Sequence, residues 1–226
     1  MDVIEAIKTR KSIRAFKPDP VSRAILEDIL RTASLSPSAA NLQPWEFIVV
    51  TGESLKKLTQ ANIDKFKAGE TGSWDLRRGA RRAQVPEKYL KRLASIQTQA
   101  QRQMNYIRED KEARAEFMQR GFNYFGAPAV IIITLEKSLG DTHTLDIGIV
   151  TQTICLAALQ HGLGTCIQAQ GVMYSNMMRE MFGIPDSKYL VIAIAIGYPD
   201  WSHPVNQMKS GRESLENLTT WVGFKE

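Results

Sequence analysis

Cysteine and histidine are scarce in this chain, two and three among 226 residues. Cys155 and Cys166 are too few for a disulfide framework, and with the scattered His143, His161 and His203 they make no metal-ligand pattern. A reducing cytoplasm and no structural metal are expected. Long apolar runs are also missing. The start, "MDVIEAIKTRKSIRAF", opens on an acidic residue without an apolar stretch, so no signal peptide is read. The most apolar helix, Leu145 to Leu159, is interrupted by Asp146, Thr151 and Gln152, and no membrane span is expected. No Ser-His-Asp or Cys-His pattern offers a nucleophile, and no glycine-rich dinucleotide motif, repeat or low-complexity segment is present.

What is there is ordinary for a globular chain: 43% hydrophobic and 23% charged residues, with length enough for one large domain. Net charge is 29 − 24 = +5. Much of the excess sits in "WDLRRGARRAQVPEKYLKRL", with Arg77, Arg78, Arg81, Arg82, Lys88, Lys91 and Arg92. Such a patch suits an anionic partner. No nucleic-acid motif accompanies it, and Trp74 and Tyr89 alone offer stacking surfaces, so a solvated helix face is the simpler reading and no nucleic acid is expected.

Periodicity places the elements. Val3, Ile4 and Ile7 fit a first helix ending near Thr9 or Arg10. Ser22 caps a second with the stripe Ile25, Leu26, Ile29, Leu30 and Ala33. Phe47 to Val50 reads as a buried strand opened by Trp45, and "GESLKKL" begins a helix capped by Ser54. From about 61 to 121 the chain is polar and mostly helical, broken at Gly69, Gly72, Gly79 and Pro86. "APAVIIITL" is the clearest strand; "TLDIGIVTQTICLAALQHGLG" is a buried helix stopped by Gly162 and Gly164. "TCIQAQ" is a short extended run, "YSNMMREMFGIP" a small helix capped by Ser175 and stopped at Gly183, and "YLVIAIAIGYP" the last core strand. The polar tail ends in Trp221 and Phe224, apolar residues that suit docking elsewhere, a second subunit being one such place. Four strands separated by helices, with a helical insertion, make one α+β domain.

Four stretches carry chemistry. In "TRKSIRAF" an extended chain after the helix projects Arg10, Ser12 and Arg14 to one side and Ile13 into the core. Two guanidiniums, a hydroxyl and Lys11 suit a phosphate, although cations at a helix C-terminus also favour its dipole. "SLSPSAANLQPWEFIVV" joins a helix to a strand with more small and polar residues than a turn needs, which suits something flat lying against it. "HGLGTCIQAQ" and "KSGRESLENL" lie further along the chain.

In this order and spacing, these stretches resemble the flavin-dependent nitroreductase family from residue 3 to about 218, with 61–121 the poorly matched part. The resemblance implies a central, mostly antiparallel sheet flanked by helices, a helical insertion over the flavin and a tail, about 213–226, docked on the partner of a homodimer. It implies FMN, with Arg10, Lys11, Ser12 and Arg14 on the phosphate and ribityl chain and Arg14 also near the pyrimidine edge of the ring. Arg212, and less closely Lys209, would hold the phosphate. Pro37, Ser38, Ala39 and Asn41 of the partner subunit would lie along the flavin. Ile167, Gln168 and Ala169 would pass its other edge, where a backbone N–H reaches N5, though a Gln-Ala-Gln run is polar for that place. Ala40, Tyr124 and Phe125 would meet substrate, and the insertion offers Trp74, Tyr89, Met104, Tyr106, Phe117 and Phe122, for each of which helix packing is the simpler explanation. The expected activity is NAD(P)H-dependent reduction of nitroaromatics or quinones in a ping-pong cycle, the flavin rather than a side chain carrying the hydride.

Other branches fit less well. The dehalogenase branch holds iodinated tyrosine with a lid Glu, Tyr and Lys, whereas Glu87 and Tyr89 stand two apart, on different faces of a helix. The flavin-fragmenting branch finds no supporting residues. The rival from another class is a non-catalytic protein that binds an anion through the 77–92 patch and retains no flavin.

Overall fold

The computed structural model of the protein describes residues 1–76, 85–104 and 110–224. Arg77, Arg78, Gly79, Arg81 and Arg82 of the basic segment lie outside the described residues, as do Tyr106 and the side chain of Met104.

Helix α1 (Val3–Thr9) ends where its apolar spacing does, and α2 (Arg23–Ala33) starts on its expected cap, the Ser22 hydroxyl accepting from the Ile25 N–H at 3.3 Å. Strand β1 (Trp45–Thr51) runs straight into α3 (Gly52–Lys67). Thr51, not Ser54, precedes the first turn of that helix, and Ser54 lies inside it. Gly52 makes the junction at φ +56°, a backbone conformation that costs glycine little. The insertion forms α4 (Glu87–Met104) and α5 (Lys111–Phe122), the latter capped by the Asp110 carboxylate on the N–H groups of Glu112 and Ala113. The rest is β2 (Ala129–Glu136), α6 (Thr144–Gln160), β3 (Gly164–Gln168), α7 (Ser175–Phe182) and β4 (Lys188–Gly197).

Among the described residues the strands form one antiparallel sheet in the order β1-β2-β4-β3. Its inner strands are buried on both faces. Ala129, Ile131, Ile133 and Leu135 of β2 join a core with Leu26 and Ile29 of α2 and Ile147, Val150 and Ile154 of α6. Val130 and Ile132 point the other way, to Leu55 and Leu58 of α3 and Met178 of α7.

Three further local expectations change. β1 is an edge strand, so Val49 is exposed while Trp45 and Val50 are buried. Gly162, at φ +69°, ends α6, but Gly164 opens β3, where a Cβ would stand 2.4 Å from Ile13 Cγ1. Ser175 lies inside α7, behind Tyr174, and its hydroxyl donates to the Ser73 carbonyl. Asp141–Gln160 does reach the length and mean hydropathy, 1.2, of a helix able to cross a membrane. Here α6 turns Ile147, Val150 and Ile154 to the core, and Asp146 and Thr151 are buried beside them.

Candidate functional site

After α1 the chain is extended, so alternate residues face opposite ways. Ile13, 2% exposed, enters the core, while Arg10, Ser12 and Arg14 remain half-buried. An isolated parallel bridge joins Ser12 to Thr165 of β3, and the Ile13 N–H donates to the Thr165 carbonyl at 2.9 Å. The segment 10–14 therefore runs beside β3 in the same direction as Thr165 to Ile167.

A buried asparagine from the far end of the chain completes this arrangement. Asn206 Oδ1 accepts from the Arg14 N–H at 2.8 Å, and its Nδ2 donates to the carbonyls of Ala15 and Asp200, both at 2.8 Å. Its own carbonyl accepts from Lys11 Nζ at 2.5 Å. Sequence reading missed Asn206, because "HPVNQ" looks like a turn and its partners lie 191 to 195 residues away in three of the four bonds.

The same folding-back brings together the two basic stretches. A cleft of about 780 Å³ is lined by Arg10 and Lys11 from one, by Lys209, Ser210 and Arg212 from the other, and by Trp201 between them. Lys11 Nζ lies 5.0 Å from the centre of the Trp201 ring. Burial, and then the nearby Lys209 charge, hold the Lys11 ammonium below its usual pKa. Arg212 curls onto its own segment, donating to the carbonyls of Ser210 and Gly211 at 3.0 and 2.9 Å. Among the described residues, none of Arg10, Lys11, Arg14, Lys209 and Arg212 forms an ion pair with a carboxylate. Clustered cations without acidic partners suit an anionic ligand, and guanidiniums suit its paired oxygens.

Ser12 and Arg14 do not line that cleft; they stand beside β3. At the end of β3, Ile167 and Ala169 are exposed. Gln168 is buried; its Nε2 donates to the Gly121 carbonyl at 2.9 Å and its Oε1 has no partner among the described residues. Helix α5 braces both sides, since Arg120 donates to the Arg14 carbonyl at 3.2 Å and Gln170 Nε2 to the Met118 carbonyl at 2.7 Å.

Pro37, Ser38, Ala39, Ala40 and Asn41 lie outside the cleft. Two bonds to α6 anchor their loop: Ser36 Oγ to Thr153 Oγ1 at 2.7 Å, and the Ala39 N–H to Asp146 Oδ1 at 3.3 Å. The Ser38 hydroxyl accepts from the Gln43 N–H at 2.9 Å. Ala40, Asn41 and Gln43 adopt φ of +49°, +56° and +48°, a left-handed run that costs non-glycine residues energy and persists where the surroundings enforce it. Ala39, Ala40 and Asn41 are exposed.

Two of the aromatic candidates are interior. Tyr124 is fully buried, its hydroxyl donating to the Gly171 carbonyl at 2.8 Å and accepting from Asn62 Nδ2 at 3.3 Å. It packs the second core and cannot present itself to a substrate, which corrects its assignment. Phe122 is equally buried, 5.1 Å from Phe66 and 5.5 Å from Tyr174 between ring centres. Phe125 is partly buried against the same core, and Trp74 and Tyr89 are exposed.

Cys166 and the three histidines sit in local contacts away from the cleft. Burial pushes the Cys166 thiol up to about 11, against the opposing pull of Arg14, so it stays protonated. His143 and His161 stand at helix ends facing Asp146 and Asp28 at 2.8 and 2.9 Å, and His203 accepts from the Val205 N–H.

The model of the Nitroreductase family matches residues 7–198 of this chain. The nitrobenzene nitroreductase of Ectopseudomonas oleovorans is 32% identical over 225 residues, covering 96% of each chain. The crystal structure of the FMN and NADPH-dependent nitroreductase NfnB from sphigopyxis sp. strain HMH superposes with a TM-score of 0.90 at 30% identity, over 99% of this chain and 100% of that one. The FMN-dependent NfnB of Mycobacterium smegmatis, in complex with NADPH, gives a TM-score of 0.90 at 25% identity, over 97% and 99%.

Proposed function

The chain belongs to the nitroreductase family, and from that premise we propose that it is an FMN-dependent oxidoreductase that uses NAD(P)H to reduce nitroaromatic or other electron-poor acceptors. The observation that carries this reading is the cleft between the two ends of the chain, where Arg10, Lys11, Lys209 and Arg212 meet without an acidic partner among the described residues. That donor set fits a phosphate.

In this reading Arg10, Lys11, Lys209 and Arg212 bind the FMN phosphate, and Ser12 and Arg14 the ribityl chain and the pyrimidine edge. Ile167, Gln168 and Ala169 flank the opposite edge. FMN supplies the two-electron chemistry when bound. Arg14 contributes a fixed positive charge where negative charge builds up on reduction. Donor and acceptor use one face in turn, in the ping-pong cycle that the family resemblance implies.

Pro37, Ser38, Ala39 and Asn41 complete the site as residues of the partner subunit, with Ala40 and Phe125 beside the substrate. An exposed loop of small residues leaves room for a planar ring, and its left-handed turns are the kind of strain that collects at binding sites. A homodimer also accounts for the apolar surface that one chain leaves open on α1, on Leu145 of α6 and along the tail. The single domain 1–226 then carries the insertion, about 61–121, over the open face. Two buried free cysteines suit a reducing cytoplasm.

The test is an absorption spectrum of the protein after FMN addition and desalting, followed without oxygen as NADH and then NADPH are added. Retained flavin that bleaches with a nicotinamide and recovers its colour with a nitroaromatic is the expected result. A colourless protein overturns the proposal and leaves the 77–92 patch, tested by salt-sensitive nucleic-acid binding, as the remaining reading.

A further inference from the structure

The segment that carries Lys209 and Arg212 has no secondary structure between Met208 and Ser214. It is pinned at both ends by one helix of the insertion. Gln99 Oε1 of α4 accepts from the Lys209 N–H at 3.1 Å. Arg92, seven residues earlier on α4, reaches Glu213 Oε2 with Nε at 3.0 Å and a terminal nitrogen at 2.9 Å. Residues seven apart lie on one face of a helix, roughly 10 Å apart along its axis. Lys209 to Glu213 spans at most roughly 13 to 14 Å when extended, so two anchors on one helix face limit where the segment can lie. The Glu213 carboxylate also ties down the chain beyond it, its Oε1 accepting from Asn217 Nδ2 at 2.9 Å and from the Ser214 N–H at 3.3 Å. Arg92 is pre-set for its part, with its guanidinium 5.2 Å from the centre of the Tyr89 ring.

We propose that Arg92 and Gln99 of α4 are positioning residues for phosphate recognition: they hold residues 209–213 so that Lys209 and Arg212 face Arg10 and Lys11 across the cleft. The insertion thereby has a second task beside covering the substrate, that of setting how strongly the site distinguishes a phosphorylated flavin from one without phosphate. This rests on the assignment of the FMN phosphate to that cleft. Neither residue lines the cleft, so the effect is expected on the phosphate contribution and not on the ring.

The experiment measures the dissociation constants of FMN and riboflavin by flavin fluorescence for the wild type, R92Q, Q99L, the double variant and R92K, with circular dichroism confirming the fold of each. Wild type is expected to bind FMN far more tightly than riboflavin. R92Q and Q99L should each weaken FMN about two- to fivefold, and together about tenfold, as partly exposed contacts do. Riboflavin binding should stay within about twofold, and R92K, which keeps the charge, should lie closest to wild type. Equal weakening of both flavins, or an unchanged FMN constant in the folded double variant, overturns the inference while leaving the FMN site standing. Wild type that holds the two flavins equally well overturns the phosphate assignment and this inference with it.

Discussion

At the scale of the residue, Lys11 concentrates the chemistry of the cleft. Its ammonium donates to the Asn206 carbonyl, lies over Trp201 and feels Lys209 nearby. Partial burial disfavours the charged form, and the like charge adds to that, so the folded pKa falls below 10.5. Between the lowered value and 10.5 the folded chain binds fewer protons than the unfolded one. Stability from this group therefore rises with pH through that window, while attraction for a phosphate falls as the ammonium is lost. FMN affinity should decline on the alkaline side in the wild type and hold to higher pH in K11R, whose guanidinium keeps its proton. Titrating the dissociation constant of both proteins from about pH 7 to about pH 11 checks this. Parallel curves would remove Lys11 from the phosphate grip.

At the scale of the element, the loop between α2 and β1 depends on α6 for its shape. Asp146 is 4% exposed; one carboxylate oxygen accepts from the Ala39 N–H and the other faces His143 Nδ1. It holds the chain just before Ala40 and Asn41 turn left-handed. D146A should cost about 2 kcal/mol of stability, since it strands a backbone donor and leaves a hole in α6 packing. D146N keeps an oxygen for Ala39 and should lose less than half as much. Denaturant unfolding ranks the two, and equal losses would show that the carboxylate facing His143, which both variants remove, and not the bond to Ala39, is what Asp146 contributes.

At the scale of the molecule, apolar surface is left over. Val3, Ile4 and Ile7 share a face of α1 yet are 63%, 52% and 52% exposed, and Leu145 is 72% exposed. In the tail Trp221 and Phe224 meet edge to face, 5.3 Å apart, with 65% and 76% exposure. Large aromatic residues bring about 2 kcal/mol or more each when covered. Sedimentation should find twice the chain mass at micromolar concentration, and W221A/F224A should weaken that association more than roughly tenfold and lower retained flavin. A wild-type chain that sediments as a monomer with flavin bound would end the two-subunit account.

The sequence by itself determined what depends on near neighbours. The stripe and Ser22 cap of α2, the strand β2, the left-handed stop at Gly183 and the inward turn of Ile13 between Arg10 and Arg14 all come from periodicity and local sterics, and all are found. The stretch Arg10 to Arg14 was also legible as residues suited to phosphate, and Lys209 and Arg212 through the resemblance to the family. Tertiary structure alone decided that they share a cleft, that Asn206 ties them from 195 residues away, and that α4 holds the segment 209–213. It likewise made β1 an edge and drew Tyr124 inside, where the sequence suggested a buried strand and a substrate contact. The physical reason is range: a helix or a cap is settled within a few residues, whereas strand order, burial and the meeting of distant charges depend on how whole layers pack.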